Sequence, residues 1–176
     1  MAGGKALAHA PVARRADSCP GATLTPDRED LAGVRAATLC LINRERAQNG
    51  EGALKPVAAL EASAQDHTDS MVSEDYFEHV GPNGSTPLSR IRNVGYIPSS
   101  SDGYVIGENI AWGTLWLATP KAIVAAWMAS PGHRANILNA RFRETGIGVS
   151  AHVPASMSGG QAGGMYTQDF GAIITG

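Results

Sequence analysis

The segment IGVSAHV (147–153) alternates Ile147, Val149, Ala151 and Val153 with small or polar residues, and MYTQDFGAII (165–174) follows after a Gly/Ser-rich stretch (158–164). A period of two over such short runs predicts two strands, and the intervening turn chemistry makes an antiparallel pair of them. Upstream the period changes to that of helices. Thr25-Pro26 reads as a cap followed by the first helical residue, and Leu31, Val34, Leu41 and Ile42 share one stripe up to Gly50. A second helix is predicted from Pro56, carrying Val57, Leu60, Ala64 and Met71, and a short third from Pro87 to Val94, stopped by Gly95. Thr119-Pro120 repeats the cap-and-Pro start for a fourth, buried through Ile123, Val124 and Trp127 and stopped by Pro131. Helices first and strands late, without regular βαβ alternation, predict an α+β domain.

With 176 residues and 43% hydrophobic content, the chain is sized for one domain with a proper core. Residues 19–176 are assigned to that domain and residues 1–18 to a flexible arm. A net charge of −2 with scattered Arg residues offers no general attraction to nucleic acid. The longest apolar stretch, AIVAAWMA (122–129), falls far short of the ~20 residues a membrane helix needs. The start MAGGKALAHAPVARRA has no apolar leader core; Ala8-His9-Ala10 reads either as the relic of a cleavage site or as part of a tail. Cys19 and Cys40 are either a pair or two unrelated thiols. A bridge would close a loop of about 20 residues, contribute on the order of 3 kcal/mol and require an oxidising compartment.

Three segments carry the candidate chemistry. YFEHVGPNG (76–84) and SPGHRANIL (130–138) each hold one His beside Gly and Pro, and GENIAWG (107–113) supplies an acid. Turns fixed by Gly and Pro can hold an imidazole at a cleft edge, and two imidazoles with a carboxylate suit a divalent metal or proton transfer. His79, Glu108 and His133 are therefore read as one set. His67, between Ala64 and Met71 on the second helix, reads as a structural histidine. Glu144 reads as an ion-pair anchor for the GHR turn through Arg134 or Arg143. Of Trp112, Trp116 and Trp127, two are expected in the core. No HExxH helix, GxSxG elbow or phosphate-cradling Gly loop is present.

These segments, in this order and with WMAS (127–130) and YTQDFG (166–171) around them, resemble the CAP superfamily of cysteine-rich secretory, antigen 5 and pathogenesis-related 1 proteins, in its bacterial secreted branch. The resemblance runs from about Leu39 to Ile174. It implies a three-layer α-β-α sandwich around a central antiparallel sheet, export from the cell and, with export, a Cys19–Cys40 bridge. It also implies a cleft in which His79 and His133 take a divalent metal, zinc first, with Glu108 beside them. Ser130 and Asn109 are then expected to contact a ligand. The family's second acid falls on Ser130, a hydroxyl that supplies no charge and no competent base; it is expected to cap the turn instead. The implied function is binding of an extracellular ligand such as a lipid, a cell-wall fragment or a protein; the sequence leaves the oligomeric state open, with a monomer as the default. The alternatives are a hydrolase of peptide or cell-wall bonds using Glu108, His79 and His133, and an interaction module without site chemistry.

Overall fold

The computed structural model describes residues 18–99 and 101–174. The arm expected over residues 1–18 and the Ala8–Ala10 motif thus lie outside the described residues, Ser18 apart. Two long antiparallel strands, β2 (Gly103–Thr114) and β4 (Gly163–Ile174), pair along their whole length, and β3 (Glu144–Ser150) joins β4 on its other side. A two-residue strand, β1 (Lys55–Pro56), adds to β3 in parallel, so the sheet order is β1-β3-β4-β2 and the sheet is mixed by this one short pair. Helices α2 (Ala58–Ser73) and α3 (Pro87–Asn93) cover one face. On the other lie α1 (Leu31–Gln48), α4 (Pro120–Ala129) and α5 (Pro131–Ile137), against a core of Val34, Ile42, Ile123, Trp127, Val149, Tyr166 and Phe170. This is the expected α+β sandwich.

Local signals fixed some boundaries and misled at others. Thr119 caps α4 as expected, its hydroxyl accepting from the Ala122 N–H at 3.3 Å. Helix α1 begins at Leu31 and not at Pro26, because Asp30 is the residue whose carboxylate accepts from the first turn, at Gly33 N. Helix α2 begins at Ala58, since Pro56 is taken by β1; a proline is tolerated at a sheet edge, where a ladder donor is not needed. Helix α3 carries a reciprocal Thr86/Ser89 capping box, which lets so short a helix hold its place. Cys19 and Cys40 are joined, fastening the segment before α1 onto that helix.

Helix α2 approaches the sheet unusually closely. A Cβ on Gly146 would lie 2.0 Å from the backbone N of Glu61, and one on Gly148 would lie 2.4 Å from the backbone of Ala64. Only glycine admits α2 at that distance. On the opposite side, buried Arg46 donates to the carbonyls of Gly52 (2.6 Å), Ile137 (2.6 Å) and Asn139 (3.1 Å), so a cation of α1 satisfies the C-terminal end of α5. Gly148→Ala is expected to lower the unfolding free energy by about 3 kcal/mol in a denaturant titration, because the obstructing atoms are helix backbone and cannot rotate away.

Candidate functional site

The site lies over the free edge of β2. Its centre is Glu108, whose side chain is only 2% exposed. Glu108 Oε1 accepts from His79 Nδ1 at 2.7 Å, and Oε2 accepts from Arg90 at 2.6 Å. An ionised carboxylate can only accept, so the proton of this His79 pair sits on Nδ1 and the Nε2 edge of the half-exposed ring is left facing outward. Arg90 also donates to the carbonyls of His79 (3.0 Å) and Ser85 (3.0 Å). One guanidinium therefore neutralises the buried acid and fastens the loop that carries the first histidine.

His67 is buried against the same carboxylate, with Nε2 3.8 Å from Glu108 Oε1. Its Nε2 donates to the Glu78 carbonyl at 3.0 Å, and Tyr76 Oη lies 3.4 Å from Nδ1. Burial first, and Arg90 and His79 after it, hold His67 below the ordinary imidazole value. It is a neutral structural histidine, as its sequence position suggested, yet it forms a wall of the site.

His133 comes from α5, which is held to the edge of β2 by amides. Asn136 Nδ2 donates to the Glu108 carbonyl (3.2 Å) and to Asn109 Oδ1 (2.9 Å), while Asn109 Nδ2 donates to the His133 carbonyl (3.2 Å). Asn109 is fully buried. Strand alternation turns its side chain towards α5, whose start it holds through the His133 carbonyl and the Asn136 amide. His133 is half-buried and is held below the ordinary imidazole value by burial and then by the charge of His79. His79 is thus bonded directly to Glu108, and the segment that carries His133 is tied to the same strand through Asn109 and Asn136.

Other expectations are corrected. Ser130 joins α4 to α5, but its hydroxyl makes no capping bond there. Glu144 accepts from Tyr96 Oη at 2.6 Å and anchors the turn after α3 to β3; it does not pair with the GHR turn. Only Trp127 is core, its indole N–H donating to the Ile110 carbonyl at 3.1 Å; Trp112 is partly exposed and Trp116 is 70% exposed. Arg90 and Asp169, neither singled out from sequence, are part of the site. Asp169 stands opposite Glu108 in the β2/β4 register and is fully buried. For Asp169 the available signal was one charged residue inside a predicted strand.

Burial pushes the Glu108 carboxyl upward, but the His79 hydrogen bond, then Arg90 and His67, outweigh it, and the net value lies below the ordinary 4.5. His79 is raised above 6.5, chiefly by that same hydrogen bond. Among the described residues no group of three or more His, Cys, Asp or Glu side chains is arranged to hold a metal ion. The one imidazole with a carboxylate bonded behind it is that of His79.

The model of the cysteine-rich secretory protein family, CAP, matches residues 39–169, which is most of the chain and includes every residue of the site. The chain belongs to the CAP family. It is 33% identical over 148 residues to the uncharacterized protein YkwD of Bacillus subtilis (strain 168), covering 84% of this chain and 51% of that protein. Among solved CAP-like structures, an extracellular protein containing an SCP domain from Bacillus anthracis str. Ames superposes with a TM-score of 0.63 at 27% identity, over 79% of this chain and 40% of that one. An outer surface protein of Borrelia burgdorferi shares the fold with a TM-score of 0.64 at 19% identity, over 85% of this chain and 98% of that one. The CAP chain described here spans about half the length of YkwD and less than half of the B. anthracis protein. No helix of its described residues is long and apolar enough to cross a membrane.

Two outcomes follow from the charge arrangement. Arg90→Met should cost about 3–5 kcal/mol at neutral pH because it strands a buried carboxylate, and much less in a Glu108→Gln background, as read from a double-mutant cycle. In a ring-proton NMR titration His79 should titrate above 6.5 and His133 below it, and Glu108→Gln should bring His79 down. The His79–Glu108 contribution to stability is fully present below pH 6.5 and is lost as pH rises through the folded value of His79. The Glu108 contribution is present above pH 4.5 and is lost on acidification through its folded value.

Proposed function

We propose that this CAP domain works outside the cell as a binding module, in which His79 and His133 take a divalent cation, zinc first, and present it to an extracellular ligand bearing an oxygen donor. The observation that carries this reading is the 2.7 Å bond from His79 Nδ1 to a buried carboxylate. A carboxylate behind an imidazole fixes the ring and its tautomer, raises its basicity and leaves Nε2 free, which is the arrangement that supports metal-bound histidine. The donor set fits a borderline-soft ion such as zinc. With two protein ligands only, affinity is modest, and the remaining positions fall to water or to the ligand. The extracellular assignment rests on the Cys19–Cys40 bridge and on the extracellular and outer-surface descriptions of the B. anthracis and B. burgdorferi relatives.

Binding is preferred over hydrolysis on the state of Glu108. A general base must reach a substrate proton, whereas both Glu108 oxygens are engaged and the group is held below the ordinary carboxylate range. Ser130 supplies no replacement acid.

Zinc alone is expected to raise the unfolding midpoint of the protein, more at pH 8 than at pH 6 because uptake displaces a proton from His79. The shift should disappear in His79→Ala/His133→Ala. Equal melting curves with and without zinc at both pH values, or a shift that survives the double substitution, would overturn the reading.

A further inference from the structure

Behind Glu108 lies a second carboxyl that its bonded partners do not account for. Glu108 and Asp169 face one another across β2 and β4, on the side of the sheet covered by α2. Asp169 has no exposed surface, and neither of its oxygens accepts a hydrogen bond from an ordinary N–H or O–H donor. The polar groups within its reach are Ser63 Oγ, which also lacks a bonded partner, and the Glu108 carboxylate. Two anions cannot share such a place, cut off from water, without strong mutual repulsion. Glu108 is the one that carries charge, because Arg90 and His79 both donate to it.

We propose that Asp169 is a neutral carboxylic acid whose O–H donates to Glu108, making it a positioning residue that holds the carboxylate in line with His79 and Arg90. A protonated carboxyl is the one form of this side chain that brings a donor, and a donor is what the Glu108 oxygens can accept in that direction. The groups around Asp169 agree. Glu108 faces it from β2, Ser63 and neutral His67 belong to α2, Arg90 comes from α3, His79 from the loop between those helices, and β3 offers only Gly146 at that level. Burial above all, and then the charge of Glu108, raise its proton affinity, against weaker opposing effects of Ser63 and Arg90. The second carboxyl of the site therefore comes from β4 and acts as a donor beneath the first, not as a base beside it.

The carboxyl pair does not depend on cation uptake. A failure of zinc to stabilise the protein leaves it standing, and its own failure leaves the zinc reading standing. The test uses metal-free protein at neutral pH. Difference infrared spectra of wild type against Asp169→Asn should show a protonated-carboxyl C=O band present only in the wild type. Because the unfolded chain releases this proton near the ordinary 3.8 while the folded chain keeps it, wild-type stability carries a component that falls as pH rises. Asp169→Asn, which keeps an N–H donor, removes that component, so the ratio of folding constants, variant to wild type, should climb by up to about tenfold per pH unit above roughly pH 4. Absence of an acid band from wild-type protein at neutral pH, with a pH-independent ratio, would overturn the proposal. The same band can be sought in the wild type alone, as a protonated-carboxyl C=O absorption that persists at neutral pH in the absolute spectrum and shifts in heavy water, so a variant that fails to fold leaves the test decisive.

Discussion

Helix α2 rests directly on sheet backbone at Gly146 and Gly148, and the placing of the site follows from that contact. With no side chains between them, the helix sits low enough for Ser63, His67 and Thr68 to meet the sheet, as the Thr68–Thr167 hydroxyl bond at 2.9 Å shows. The chain leaving α2 is then delivered to the β2 edge with His79 already over Glu108. A larger residue at either glycine would lift the helix and separate the imidazole from its carboxylate. The specificity of this fold therefore lies as much in two missing side chains as in the apolar core on the other face.

Glu108 converts that packing into chemistry. A carboxylate this deep is tolerated only when its charge is answered locally, and the answers come from two elements, Arg90 of α3 and His79 of the loop, with neutral His67 of α2 walling it in. Arg90 does two things at once, since the carbonyls it satisfies belong to the loop it stabilises. On the other side of the edge, Asn109 and Asn136 do for α5 what Arg90 does for the loop, using neutral amides. The histidines are thus presented by two supports built from different chemistry, one ionic and one not. Titration acts on the first far more than on the second.

Much of this was readable from the chain. The His79, Glu108 and His133 motifs announce themselves because turn residues and functional residues sit in the same short segments, and the α4 start is local chemistry between Thr119 and Ala122. What stayed hidden is set by distant partners. β2 is a twelve-residue strand that GENIAWG does not advertise, because Gly, Glu and Asn are poor strand formers; register with β4 decides it. Asp169 looks like an ordinary strand polar residue until that same register sets it against Glu108. Arg90 and Glu144 were illegible for a related reason, since their partners lie far along the chain. Trp112 and Trp116 were misjudged because size argues for burial, while their position near the end of β2 argues otherwise.

The free edge of β2 has one more consequence. Edge strands normally offer a row of carbonyls and amides to any passing strand, yet here the Glu108 carbonyl is taken by Asn136 and the Ile110 carbonyl by the Trp127 indole. The opposite edge, β1, is two residues long and ends in proline. Neither border is a good template for an incoming extended peptide, so partners cannot readily be recruited by lengthening the sheet.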